Sequence, residues 1–327
     1  MKISVALCTY NGDKYLDDQL TSILQQSLLP NEIIICDDKS IDSTATLLSQ
    51  YKEIFTTKNI VCKVFVNEEN IGIVNNFSAA ISECTGDIIF LSDQDDYWLC
   101  NKIEKTIQCF HDNPNAGYVF SNAFVVDEYM APTSKTMFGL LNFCINDFNL
   151  SCHNQVLQLI KYNVVTGCTL AFKKKYINYI LPMPENFLHD AWIAIILSSI
   201  HKGGAIISDA TIKYRQHNNQ TVGASVDNTY INRLLRDYYN KEVNKKYYHK
   251  LSNILRLAAE RISSSLGIED DSYKLLQRGA SHYYAKYSIY SSNNLLYKLK
   301  IIYNELATGN YKLFANNYCS AIKDILI

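Results

Sequence analysis

The amino-acid sequence predicts an α/β fold: a central, mostly parallel sheet followed by a C-terminal helical region. Three observations carry that expectation. Short apolar runs alternate with segments whose apolar residues recur at helical spacing through the first third of the chain. The polar clusters Thr9-Tyr10-Asn11, Asp37-Asp38 and Asp93 to Asp96 end three of these runs, where open parallel sheets bind ligands. From about Asn228 the pattern turns almost wholly helical and turn residues become scarce.

The elements follow in order. Ile3 to Cys8 is a buried-type strand, and Tyr15, Leu16, Gln19, Leu20, Ile23 and Leu24 line one side of the helix after it. Glu32 to Cys36 is a second strand, after which Asp42 is placed to cap a helix running to about Ile54. Val61 to Val66 alternates as a third strand, and Phe77, Ala80 and Ile81 mark a helix over Val74 to Cys84. Asp87 to Leu91 is the fourth strand. Beyond it the pattern gives a helix over Lys102 to His111, strands at Gly117 to Phe120 and Val164 to Phe172, and an irregular stretch at 127–152. A buried helix follows at Leu188 to Ser199, with short strands at Ala205 to Ile207 and Thr211 to Tyr214.

Composition bounds the class. A chain of 327 residues, 48% hydrophobic and 19% charged, can bury a substantial core. No apolar run approaches the roughly 20 residues that span a bilayer, and Met1 to Val5 enters a strand pattern directly, so a cytoplasmic protein is expected. The ten cysteines are scattered without a Cys-x-x-Cys pair and read as reduced, buried thiols; the seven histidines are equally dispersed, which gives a zinc site little support. Residues 1–227 hold 16 Lys and Arg against 24 Asp and Glu, whereas residues 228–327 hold 15 against 8. That asymmetry divides the chain into 1–227 and 228–327, with a boundary near 224–228. No nucleic-acid partner is expected.

Phe90 to Trp98 is the densest chemistry. An apolar strand runs there into Asp93, Asp95 and Asp96, three carboxylates within four residues, which repel one another unless a cation offsets them. Hard oxygen donors in that arrangement suit Mg²⁺ or Mn²⁺, and a metal at a strand end suits a phosphate-bearing substrate. A solvated acidic loop is the competing reading. An EF-hand starting at Asp93 fails because Trp98 stands where it needs glycine. No glycine-rich phosphate loop follows any strand, so phosphate would be held by metal and side chains. Asp37-Asp38 is either a second ligand-binding strand end or a capping turn.

Four motifs in order, Ile3 to Gly12, Asp37-Asp38-Lys39-Ser40, Asn70-Ile71-Gly72 with Asn76, and Ser92 to Trp98, resemble the family 2 glycosyltransferases of the GT-A fold. Leu188-His189-Asp190-Ala191-Trp192 and Tyr214 to Asn219 are similar to segments of bacterial rhamnosyltransferases and related surface-polysaccharide enzymes. The resemblance spans roughly residues 1–225. It implies a nucleotide-binding half at about 1–100 and an acceptor-binding half at about 101–227. It further implies that Cys8, Thr9 and Tyr10 line the nucleotide-base pocket, that Asp38 bonds the base, and that Asp93 and Asp95 hold the metal, Asp93 facing ribose or metal-bound water. Asp96 would support them, and Asp190 would be the catalytic base. Asn76, Trp98, His189, Trp192, Arg215 and His217 are candidate donor or acceptor contacts. Arg215 and His217 fall on a loop that closes over the diphosphate.

The implied reaction is inverting, metal-dependent transfer from a nucleotide-diphospho-sugar, either dTDP-rhamnose or a UDP-hexose, to a hydroxyl of a glycan or lipid-linked acceptor. Two rival readings are a non-catalytic sugar-nucleotide or glycan-binding protein and a sugar nucleotidyltransferase; the latter would show a glycine-rich basic loop that Thr9 to Gly12 lacks. The tail holds 14 of the 24 tyrosines. Tyr and Lys on amphipathic helices suit an anionic membrane surface, with Leu295 to Tyr303 the best candidate, while an ordinary helical subdomain or self-association explains the same pattern.

Overall fold

The computed structural model describes residues 1–148, 151–218, 220, 240–267, 270–315 and 317–326. Contacts among them divide the chain into two compact units, Met1–Cys152 with Val164–Ala224, and His153–Asn163 with Ser225–Ile327. The boundary expected at 224–228, and Asn219 of the last motif, lie outside the described residues.

The first unit is built on a sheet of nine strands among the described residues. Its first half comprises β1 (Ile3–Thr9), α1 (Leu16–Leu24), β2 (Glu32–Asp37), α2 (Thr44–Thr57), β3 (Val61–Val66), α3 (Ile73–Glu83) and β4 (Ile88–Ser92). There follow β5 (Tyr97–Trp98), α4 (Lys102–Asp112), β6 (Tyr118–Val126), β7 (Pro132–Thr136) and the short helices α5 (Met137–Leu140) and α6 (Ile145–Phe148). After α7 (Cys152–Lys161), which belongs largely to the other unit, come β8 (Ala171–Lys173), α8 (Ile177–Ile180), α9 (His189–Ser199) and β9 (Gly204–Arg215).

The strand order is β3-β2-β1-β4-β8-β6-β9-β5, with β7 beside β6. Strands β3, β2, β1 and β4 pair in parallel, joined through the intervening helices; β1, β2 and β4 are buried throughout, and β3 is the partly exposed edge. Beyond β4 the sheet is mixed: β8 runs antiparallel to β4 and β6, and β9 runs parallel to β6. The chain leaves β1 toward β2 on one side and later returns as β4 on the other. That reversal is the switch point at which such sheets open a ligand crevice. Thr9 is level with Asp37, and Leu7 with Ser92, so the three polar strand ends meet on one edge.

Three stretches differ from the expected pattern. The strand expected over Val164 to Phe172 is only Ala171–Lys173, because Gly167–Thr169 coils into a 3₁₀ turn. The two short strands expected at 205–207 and 211–214 are one strand of 12 residues, whose register against β6 shifts around Asn122. In the stretch read as irregular, Thr136 caps α5 by accepting from the Gly139 N–H. Helix α9 is buried along its whole length, which is why it is apolar all round.

The second unit is helical: α10 (Lys241–Leu266), α11 (Asp271–Ser291), α12 (Leu295–Ala307), α13 (Asn310–Phe314) and α14 (Asn317–Leu326). Helix α7 joins it, with the Tyr283 hydroxyl donating to the Ile160 carbonyl at 2.9 Å. Much of the tyrosine richness is internal. Tyr248, Tyr283, Tyr290 and Tyr311 are buried, and the hydroxyls of Tyr290 and Tyr311 donate to Asp324, which also pairs with Lys286 at 2.5 Å. Tyr247 on α10, Tyr284 on α11, and Tyr297 and Tyr303 on α12 are exposed. No helix among the described residues is long and apolar enough to cross a membrane.

Candidate active site

The base-side wall is a set of backbone-fixing hydrogen bonds. Thr9 Oγ1 donates to Asp37 Oδ1 at 2.6 Å, and the Ser40 N–H and hydroxyl bind the same carboxylate. Asp38 is buried. Its Oδ1 accepts from Ile71 N (2.8 Å) and Asn67 Nδ2 (2.9 Å), and its Oδ2 accepts from Gly72 N (2.9 Å). Asp38 therefore folds the Asn70-Ile71-Gly72 loop against β2, and these bonds occupy three of its four acceptor sites. Asn76, taken as a substrate contact, is buried and spent within the chain, donating to Cys36 O at 2.8 Å and accepting from Asn67 at 3.0 Å. Cys8 is buried, and burial pushes its thiol well above the ordinary range, so it lines the wall as a neutral group. Tyr10 is half exposed at the mouth.

Gln94 is the uncharged residue between Asp93 and Asp95. Its Oε1 accepts from Tyr10 N at 2.8 Å and its Nε2 donates to Tyr10 O at 3.0 Å. Gly12 makes room for it: a Cβ there would stand 2.2 Å from Gln94 Oε1. The Gly12-to-Gln94 pairing leaves no periodic signal, since it joins two loops 82 positions apart.

The acidic cluster is crowded and partly compensated. Burial first, then the charges of Asp95, Asp96 and Asp190, hold the Asp93 carboxyl well above the ordinary range. Asp96 is fully buried; burial and then Asp95 raise it to about 7. Its Oδ1 accepts from Arg215 N at 3.1 Å, while Oδ2 has no partner. Ligand atoms of Asp93, Asp96 and the buried Cys168 lie within 4.8 Å of one another. Beneath them runs Lys102, buried at the start of α4. Its Nζ donates to Cys168 O at 2.8 Å and sits 4.7 Å from the Trp98 ring, with burial lowering it to about 8. A lysine in a first helical turn opposes the helix dipole, and that mismatch was the signal available in the sequence.

Arg215 and His217 reach the cluster by different routes. Arg215 is buried over the Tyr15 ring; its Nε donates to Asp95 O (2.8 Å), Nη1 to Glu128 O (2.7 Å) and Nη2 to Asp18 Oδ2 (2.6 Å). It is thus a clip on the acidic loop, which corrects its expected place over a diphosphate: all three side-chain nitrogens are bonded within the chain. His217 packs on Tyr15 and sets Nε2 at 2.8 Å from Asp95 Oδ2. Trp98 and Trp192 are also corrected. Both are core residues, Trp192 donating to Ile180 O at 2.8 Å, and Gln19 accepting from Trp98 Nε1 at 3.2 Å in the amide orientation that satisfies its neighbours.

Asp190 stands in the first turn of α9, where Oδ2 accepts from Gly167 N at 2.9 Å and Oδ1 accepts from Ala191 N. Its charge acts on Asp93, so the two carboxylates share one region. His189 is buried and stacked on Phe77 at 4.1 Å; neither ring nitrogen has a hydrogen-bond partner, and burial lowers its pKa to about 3. A Cβ on Gly167 would lie 2.6 Å from His189 Nε2, so this glycine is what allows His189 and Asp190 to close on the turn.

Residues 4–179 match the family model described as glycosyl transferase family 2. The dTDP-rhamnosyl transferase RfbG of Shigella flexneri is 27% identical over 255 residues, covering 73% of this chain and 82% of its own. WfgD of Escherichia coli, a UDP-Glc:alpha-D-GlcNAc-diphosphoundecaprenol beta-1,3-glucosyltransferase, is 24% identical over 72% of this chain and 90% of its own. Among solved structures, S. aureus TarS 1-349 in complex with UDP-GlcNAc superposes with a TM-score of 0.55 at 17% identity, covering 87% of this chain and 72% of its own. A mannosyltransferase of Pyrobaculum calidifontis, solved with GDP-Man and Mn2+, gives 0.50 at 15% identity, covering 99% and 86%. The fold is GT-A, with a central sheet and C-terminal helices. The chain belongs to glycosyl transferase family 2 and is a glycosyltransferase.

Proposed function

We propose that the protein is an inverting, metal-dependent glycosyltransferase that moves a sugar from a nucleotide-diphospho-sugar, dTDP-rhamnose or a UDP-hexose, to a hydroxyl of a glycan or lipid-linked acceptor in surface-polysaccharide synthesis. The observation that carries this reading is the convergence of Asp190, from α9, on the Asp93 to Asp96 loop: its Oδ2 accepts from Gly167 N at 2.9 Å, and the adjoining Cys168 has its sulfur within 4.8 Å of Asp93 and Asp96.

The donor set fits a divalent ion. Asp96 Oδ2 is buried without a partner, Asp93 is pressed toward protonation by its neighbours, and Asp95 Oδ2 stands beside the His217 imidazole. Oxygen donors with one imidazole suit Mn²⁺ or Mg²⁺. Asp95 and Asp93 would hold the ion, with His217 beside them. When bound, a divalent ion supplies Lewis acidity that offsets the negative charge gathering on the departing nucleoside diphosphate.

The chain's own groups do the rest. The wall of Cys8, Thr9 and Tyr10 faces the nucleotide base, and Asp38 fixes the loop opposite. The attacking hydroxyl loses its proton as its oxygen bonds to the anomeric carbon from the face opposite the diphosphate, and Asp190 accepts that proton. The two backbone N–H groups at Asp190 hold its carboxylate in one orientation. The configuration inverts in a single displacement.

A thermal-shift panel of UDP, dTDP and GDP, each with and without Mn²⁺, tests donor and metal together. One nucleotide should raise the melting temperature in a Mn²⁺-dependent way. The mechanism is wrong if Asp95→Ala and Asp190→Asn both leave sugar transfer intact.

A further inference from the structure

The second unit turns an apolar surface outward. Helix α12 buries Lys298 and Ile302 but leaves Leu295, Leu296, Leu299 and Tyr303 exposed at 56%, 79%, 38% and 71%. These positions recur three to four and seven to eight residues apart, so they form one outer stripe. Helix α14 packs on α12 and repeats the pattern, with Ala321 and Asp324 buried and Ile322, Ile325 and Leu326 exposed at 57%, 39% and 69%. Single exposed leucines are ordinary; two adjacent helices that bury a charged residue each and turn their larger apolar side chains outward are not.

Charge selects what covers the surface. From Leu295 to Ile327 the sequence holds two acids, Glu305 and Asp324, against four lysines, Lys298, Lys300, Lys312 and Lys323. Both acids are spent inside the unit. Asp324 is fully buried and binds Lys286, Tyr290 and Tyr311, and Glu305 holds His282 at 2.6 Å and Asn310 at 3.0 Å. Lys300 and Lys312 are exposed. The outward side of α12 is therefore apolar, phenolic and, through Lys300, cationic. A second copy would set this face against itself and bring like charges together. An anionic lipid surface accepts all three components: leucines at the acyl boundary, tyrosine rings among the headgroups and ammonium groups at the phosphates. We infer that the outer faces of α12 and α14 dock on an anionic membrane surface, the helices lying in the interface.

The test is flotation of the full chain with vesicles of phosphatidylcholine alone and of phosphatidylcholine with phosphatidylglycerol. The protein should float with the anionic vesicles and stay behind with the neutral ones. The double substitution Leu296→Glu with Tyr303→Glu changes two outward side chains, and unchanged thermal melting confirms that it folds; it should cut the bound fraction at least tenfold. Lys300→Glu should cut it less and flatten its dependence on salt. Absence of binding to anionic vesicles, or equal binding by the double variant, overturns the inference. So does a dimer in light scattering that the same two substitutions abolish, which would name a second copy as the occupant.

Discussion

Gln94 grips the backbone of Tyr10 at both ends, its carboxamide accepting from the Tyr10 N–H and donating to the Tyr10 carbonyl. The loop after β1 and the loop that carries the acids are thereby one mechanical piece. Because Gly12 provides the space for that grip, two different substitutions should have one effect.

Gly12→Ala and Gln94→Ala are each expected to weaken nucleoside-diphosphate binding about tenfold, close to the loss of one or two hydrogen bonds of about 0.5–1.5 kcal/mol each. Calorimetric titration of both variants and the double variant checks this. The double variant should lose little more than either single one, since both act on the same contact.

Asp190→Asn should lower kcat about 10²- to 10⁴-fold, the usual range for removing a general base, with donor KM nearly unchanged. An asparagine oxygen can still accept from Gly167, so the melting temperature should move little. A large fall in stability without a fall in kcat would show that the carboxylate serves the fold and not the reaction.

Arg215→Lys keeps the charge but cannot reach Asp95 O, Glu128 O and Asp18 together. Orphaning buried acceptors costs about 1–3 kcal/mol each, and the half-exposed Asp18 adds little, so a loss of about 2–3 kcal/mol is expected. Urea unfolding measures it. Metal-dependent stabilisation should fall as well, because Asp95 sits on the clipped loop.

Two buried groups give opposite pH slopes. Asp96 is raised from 3.8 to about 7, so between those values the folded chain keeps a proton that the unfolded chain has lost, and stability falls as pH rises. His189 is lowered from 6.5 to about 3, so below 6.5 the unfolded chain takes up a proton that the folded chain refuses, and stability falls as pH drops. In metal-free protein Asp96→Asn should make the first slope shallower, since Asp93 is also held above its ordinary range, and His189→Phe should remove the second. Urea midpoints at pH 4.5, 6 and 7.5 separate them; two variants that both track the parent protein would refute the assignment.

The half of the fold nearest β1 was legible because β1, β2 and β4 are buried throughout and read as apolar runs, such as Ile33-Ile34-Ile35, while the edge strand β3 shows by its alternation. The other half was not. Val164 and Val165 read as strand, yet the chain turns at Gly167 so that its N–H can meet Asp190, a contact made 23 positions away. The polar strand ends announced themselves because carboxylates at the ends of apolar runs are costly and therefore conspicuous. Arg215 was conspicuous too, but a guanidinium suits a buried clip as well as a phosphate, and only its three acceptors decide between them. Trp98 and Trp192 were ambiguous for the same reason: an indole beside a motif looks the same in sequence whether it faces a sugar or the core.

Lys102 gives the acidic loop a countercharge that cannot diffuse away. A dissolved cation leaves when a chelator is added or when product departs, but this ammonium is covalently tethered, present at one copy per chain and indifferent to ionic strength outside. The loop is therefore never wholly uncompensated between catalytic cycles. Chelation should silence the enzyme without unfolding the loop, and only above about pH 8, where the ammonium discharges, should metal loss and loss of order coincide.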